Sequence, residues 1–160
     1  MGEDAPAIRS NRDLRVWQRA MDLVVEAYGF VSRLPRTELY GLSSQVKRAA
    51  ISVPSNIAEG YGRNQLGQYL HHLCIARGSI MELETQVLLV VRLGLCHPGD
   101  ESPLLAAVRD VGRMLTRLIT SLQRYRASRS TVGGRRNPRA TLSARPSAER
   151  RVPSARMLDV

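Results

Sequence analysis

Aromatic side chains are scarce in this chain: 160 residues hold one Phe, one Trp and five Tyr. A core of any size must therefore come from Leu, Val, Ile and Ala. Cysteine is limited to Cys74 and Cys96, which excludes a disulfide framework and the paired spacings of a zinc site. Lysine is rarer still. Lys47 is the only one, and every other basic residue is Arg. GC-rich coding gives such usage, and so does a need for the planar guanidinium that grips phosphate bidentately. No unbroken apolar run, Val87–Val91 included, is long enough to cross a bilayer. No apolar stretch near residue 1 has the form of a signal peptide. The expectation is a reduced, cytoplasmic protein with no membrane span, no metal and no cofactor.

What the chain does have is aliphatic side chains and positive charge. Hydrophobic residues make up 43%, enough for one core in a chain of single-domain length. The formal net charge is +10, which favours an anionic partner: RNA or DNA, an acidic protein or a membrane surface. That charge is unevenly placed. Residues 126–160 carry nine Arg against Glu149 and Asp159, so most of the excess sits at the end. Residues 1–11, with Gly2, Pro6 and mixed charges, read as a flexible leader. Residues 127–160, rich in Ser, Gly, Pro and Arg, read as a disordered Arg-rich tail that cannot bury enough apolar surface to fold alone. The domain is assigned to residues 12–126.

Within it, apolar residues recur at steps of three and four, the mark of amphipathic helices. Helix one is expected from Asp13 to Arg33, stopping before Pro35. Its inner face is read as Leu14, Trp17, Met21, Val24, Tyr28 and Val31. A connector, Leu34–Gly41, leads to helix two, from Leu42 to Glu59. Leu42, Val46, Ala49, Val53 and Ile57 form its inner stripe, and Ile51, Pro54 and Ala58 a second apolar strip. Pro54 should kink it by removing one backbone hydrogen bond. Helix three, Gln65–Leu93, buries Tyr69, Leu73, Ala76, Ile80, Leu83, Val87 and Val90, and carries a second strip of Leu70, Met81, Leu88 and Val91. Helix four opens at Ser102-Pro103, an N-cap followed by proline. It buries Leu104, Val108, Val111, Leu115, Leu118 and Leu122, and fades near Arg126.

Four such helices joined by short connectors imply an all-α, antiparallel up-and-down four-helix bundle. The second strips expose more aliphatic surface than a lone protomer tolerates. Ile51, Pro54, Leu70, Met81 and Leu88 are therefore expected at an interface between copies of the chain.

Helix two and the start of helix three are less generic. The stretch from Tyr40-Gly41-Leu42-Ser43-Ser44-Gln45-Val46-Lys47-Arg48 through Ala49-Ala50-Ile51-Ser52-Val53-Pro54-Ser55-Asn56-Ile57-Ala58-Glu59-Gly60 closely resembles the 23S rRNA-intervening-sequence proteins, also called four helix bundle proteins. Asp13-Leu14, Val16-Trp17-Gln18, Arg63, Ile75-Ala76-Arg77-Gly78-Ser79 and Glu82-Leu83-Glu84-Thr85-Gln86 extend the resemblance over residues 12–123. It implies a small helical bundle of a kind sometimes encoded within insertions in ribosomal RNA genes. It further implies kinship with the accessory variability determinant of diversity-generating retroelements, and so a homopentamer, nucleic-acid binding and a reverse-transcriptase partner. Under the resemblance, Lys47, Arg48 and Arg63 become nucleic-acid contacts.

No catalytic constellation stands out, and a non-enzymatic role is expected. Ser44-Gln45-Val46-Lys47 fits the S-x-x-K pattern, but its companion motifs are absent. His71 and Cys74 stand one turn apart without further metal ligands. Gly60-Tyr61-Gly62 lacks the strand and lysine of a phosphate loop. Asn56 and Glu59 suggest either a site at the bundle end or local pairing, Glu59 with Arg63 at i,i+4. Arg77 and Glu84 are expected in ion pairs with other helices or subunits. The basic stripe is more informative. Arg109, Arg113, Arg117 and Arg124 recur along helix four, with Arg12, Arg15 and Arg19 on helix one. Like charges at i,i+4 repel. A bound phosphate backbone would relieve that repulsion and make binding salt-sensitive, whereas a solvated face would simply tolerate it.

Overall fold

The computed structural model describes residues 10–38, 41–63 and 65–133, the side chains of 131–133 excepted. The expected leader up to residue 9 and the expected disordered tail from residue 134 lie outside the described residues. Four helices dominate: α1 Arg15–Val31, α2 Leu42–Gly62, α3 Leu66–Arg92 and α4 Ser102–Gly133. Short 3-10 turns at Asn11–Asp13 and Arg36–Glu38 precede α1 and α2. Each helix packs on its two neighbours in the ring α1–α2–α3–α4, and the diagonal pairs do not pack on each other. This is the expected up-and-down bundle. Its consequence for function is geometric: α2 and α4 stand diagonally, so their outward faces look away from each other.

The chain enters through a capping box. The Ser10 hydroxyl accepts from the Arg12 N–H at 3.2 Å, and an Asp13 carboxylate oxygen accepts from the Ser10 N–H at 2.9 Å. Fully buried Leu14 follows and starts α1.

Packing bears out the inner stripes of α3 and α4 in full, and that of α2 apart from half-buried Leu42. That of α1 is corrected. Leu14 and Val31 are buried, but Met21 and Tyr28 are exposed, and Trp17 and Val24 only half-buried. The core face is Val16, Ala20, Leu23, Ala27 and Phe30, one step round the helix. Ala20 and Ala27 have small side chains that let neighbouring helices close in on α1. The larger residues beside them cover the rim of the core.

α2 runs through Pro54 as one helix. Pro54 and Leu70, both read as interface residues, are buried within the protomer. Each flanks the inner stripe of its own helix closely enough to be covered by a neighbour. The seam between α2 and α3 is tight. A Cβ built on Gly60 would lie 2.7 Å from the His72 Cβ and 3.0 Å from Tyr69 Cδ2. Only a residue without a Cβ permits that approach. The buried Ser79 hydroxyl meets that of Ser52 across the same seam at 2.9 Å. The Tyr69 hydroxyl is buried without a hydrogen-bond partner among the described residues, and burial pushes its pKa well above the usual phenol value.

α4 is longer than its pattern suggests. Its last core residue is Leu122, yet the helix continues to Gly133. Past Leu122 nothing periodic is needed, because no core side remains. These exposed turns carry side-chain bonds of their own: Ser128 and Ser130 hydroxyls donate to the carbonyls of Tyr125 and Arg126, and Arg129 donates to the Tyr125 hydroxyl at 2.8 Å. The expected tail boundary at Arg126 thus falls inside a helix. No helix among the described residues is long and apolar enough to cross a membrane.

Candidate nucleic-acid interface

From Val111 to Gly133 the chain contains Arg113, Arg117, Arg124, Arg126 and Arg129, and no Asp or Glu. All of this segment is helical. The steps from Arg109 to Arg113, Arg117 and Arg124 place these four along one exposed ridge of α4. Asp110 is the acid nearest to them in sequence. It pairs with Arg113 on its own helix and with Arg19 of α1 at 3.5 Å. Arg109, Arg117 and Arg124 have no acidic partner among the described residues.

A groove runs along each side of this ridge. Towards α1, it is lined by Arg15, Gln18, Arg19, Met114 and Arg117. Towards α3, a larger one of about 490 Å³ is lined by Ile80, Met81 and Val108 together with Arg77, Arg109 and Arg117. Arg77 is exposed and has no acidic partner on another helix among the described residues, which leaves a pair with another subunit as the form of the expectation still open to it. Glu84 lines the same groove without an ion pair among the described residues. Arg15, Arg19 and Arg77 thus join the α4 ridge in space. The stripes of α1 and α4 are each visible along the sequence; their meeting, and the addition of Arg77, depend on which helices are neighbours.

The cations expected on α2 do not join them. Lys47 lies over the Tyr28 ring of α1, 5.1 Å from its centroid. Arg48 reaches Glu82 of α3 at 3.7 Å and donates to Gln45. Arg63 pairs with Glu59, as local pairing predicts. All three have partners inside the protomer, on the helix diagonal to α4. The candidate set divides into an engaged group on α2 and a ridge on α4 in which, among the described residues, Arg113 alone has an acidic partner.

The bundle end at Glu59 holds one residue that the sequence did not single out. His72 of α3 sets Nδ1 3.3 Å from the Asn56 side-chain oxygen and Nε2 3.9 Å from Glu59. Asn56 in turn donates to the Ser52 carbonyl at 2.9 Å. The Arg63 hydrogen bond first, and His72 second, hold the Glu59 carboxyl below its ordinary pKa. These groups tie α2 to α3. They bring together no nucleophile with a base, and no group of three His, Cys, Asp or Glu near enough for a metal occurs among the described residues. His71 and Cys74 instead line a groove with Gln123, Arg126 and Ser130 of α4.

Of the expected interface residues, Ile51, Met81 and Leu88 are exposed, Met81 most of all at 63%. Met81 belongs to the arginine groove. Leu88 joins Leu89 and Val91 in a separate groove on the C-terminal half of α3, edged by Thr85 and Arg92.

Comparison with curated proteins finds no match. A family model described as 23S rRNA-intervening sequence protein matches residues 12–117, from the turn before α1 to the middle of the arginine ridge. That is about two thirds of the chain, so the protein belongs to the 23S rRNA-intervening sequence protein family.

Proposed function

We propose that this protein is a non-catalytic, oligomeric nucleic-acid-binding factor whose contact surface is the arginine ridge of α4 and the grooves beside it. One observation carries the reading. The ridge and its α3 flank present Arg77, Arg109, Arg117 and Arg124 with no acid engaging them among the described residues. Phosphates laid across the ridge would separate its like charges and release counterions. Labelled RNA and DNA should bind with an affinity that falls steeply with salt, and a chain ending at Gly133 should retain much of it. Loss of binding on that truncation would move the contact to residues 134–160. No salt-dependent binding by the intact chain would end the reading.

Self-association is its second element, favoured by the exposed Leu88, Leu89 and Val91 on one face of α3. The occupant we propose there is a second copy, in a ring that the resemblance puts at five. A protein partner such as a reverse transcriptase would compete for the same face. Leu88→Glu with Leu89→Glu is expected to convert a multimer to monomers in a mass measurement at micromolar concentration. A monomeric mass for the unaltered chain would reject this element.

A further inference from the structure

The groove between α3 and α4 has a feature that phosphate binding alone does not use. Its apolar lining is Ile80 and Met81 from one helix and Val108 from the other; Ile80 and Val108 belong to the core, and exposed Met81 offers the accessible apolar surface. Gly112 widens the groove, because no side chain stands at that position of α4. A Cβ there would make only ordinary contact with Ile80, at 3.5 Å, and anything longer would project into the recess. At about 490 Å³ the groove lies within the range of small-ligand sites. Arg77, Arg109 and Arg117 stand at it beside a single carboxylate, Glu84. That carboxylate opposes filling the recess with phosphate. It suits the amino group of a base, for which a Glu side chain is an acceptor.

A duplex keeps its base faces stacked inside and offers this surface only phosphates, which would leave the Met81 side chain in water. A single strand can turn a base out and lay it on an apolar or guanidinium surface while its backbone stays on the arginines. From this combination we infer that the α3–α4 groove receives an unstacked base of single-stranded nucleic acid, with the flanking phosphates on Arg77, Arg109 and Arg117. The inference rests on the nucleic-acid reading above and adds to it a strand form and a place. Gly112 supplies the room, Met81 the apolar face, and Glu84 a preference for bases that carry an amino group.

The test compares a labelled single-stranded oligonucleotide of about ten nucleotides, the same sequence as duplex, and AMP, each titrated into the full-length chain. Gly112→Leu fills the recess without removing a charge. Leu is also the better helix former, so α4 should persist, with circular dichroism as the check. Removing roughly 50–60 Å² of apolar surface from water when a base lies in the groove is worth on the order of a tenfold change in affinity. The single strand should bind the unaltered chain about tenfold more tightly than the duplex. Gly112→Leu should erase that preference, leaving duplex affinity and the salt slope unchanged. Met81→Ser, at an exposed position, should move the preference the same way and decides the matter if Gly112→Leu does not fold. An undiminished single-strand preference in the folded variants overturns the inference. AMP binding as tightly as the oligonucleotide overturns it in favour of a free nucleotide. Equal loss on both strand forms reduces the groove to a phosphate site. Failure of the unaltered chain to bind either strand form removes the nucleic-acid reading itself.

Discussion

Arg109→Ala with Arg117→Ala is expected to weaken nucleic-acid binding by roughly a hundredfold at moderate salt, about tenfold for each charge-assisted hydrogen bond to phosphate that is removed. The salt dependence should flatten as well. The slope of log affinity against log salt falls by about 0.9 for each phosphate no longer neutralised on duplex DNA, and by about 0.7 on a single strand. These two positions are the sharpest choice because neither has an acidic partner among the described residues. Arg113→Ala would instead disturb Asp110, which holds both Arg113 and Arg19. Stability should not suffer. Both side chains are exposed, and each stands one turn from Arg113, so their removal relieves repulsion. A melting temperature unchanged or slightly raised, together with weakened binding and a flatter salt slope, assigns the arginines to phosphate binding. Retained affinity with an unchanged slope would remove the ridge as the binding surface.

Gly60→Ala should destabilise the bundle by about 2 kcal/mol, a fall of roughly 5–10 °C in thermal unfolding. Two effects of opposite sign compete here. In a helix interior, Ala is ordinarily better than Gly by about 1 kcal/mol. At Gly60 the new methyl would sit 2.7 Å from the His72 Cβ and 3.0 Å from the Tyr69 ring. His72 Cβ is bonded directly to the α3 backbone and can retreat only if α3 moves. Tyr69 is fully buried and packs edge-on against Tyr61, with ring centroids 6.1 Å apart. Overpacking therefore outweighs propensity. Gly78→Ala is the control, because nothing lies within 4 Å of its added Cβ. That variant should gain about 0.5–1 kcal/mol. Equal effects at the two glycines would mean that α2 and α3 separate more readily than their seam suggests. Separation would also part the Ser52 and Ser79 hydroxyls and the His72–Asn56 pair.

Much of the fold was legible along the chain because α3 and α4 present branched aliphatics at steps of three and four. Such a stripe is a local signal, and it needs no knowledge of what packs against it. On α1 the same reasoning chose the wrong side. Summed apolar size favours Trp17, Met21 and Tyr28, whereas close packing favours the smaller Ala20 and Ala27. α4 outran its periodic pattern, since helix beyond Leu122 has no core side to announce it.

The class of fold, the inner faces of α3 and α4, nearly all of that of α2, and the acid-free run of arginine from Val111 to Gly133 follow from the order of residues alone. These depend on neighbours along one helix, or on composition. Helix packing was needed to show that Arg15, Arg19 and Arg77 stand beside the α4 ridge while Lys47, Arg48 and Arg63 do not. It was needed again to show that Pro54 and Leu70 are buried while Met81 and Leu88 are exposed. One cause underlies both. Which residues far apart in sequence share a surface depends on the order of helices around the bundle and the rotation of each about its axis. Both are set by how side chains of unequal size interlock across four helices at once.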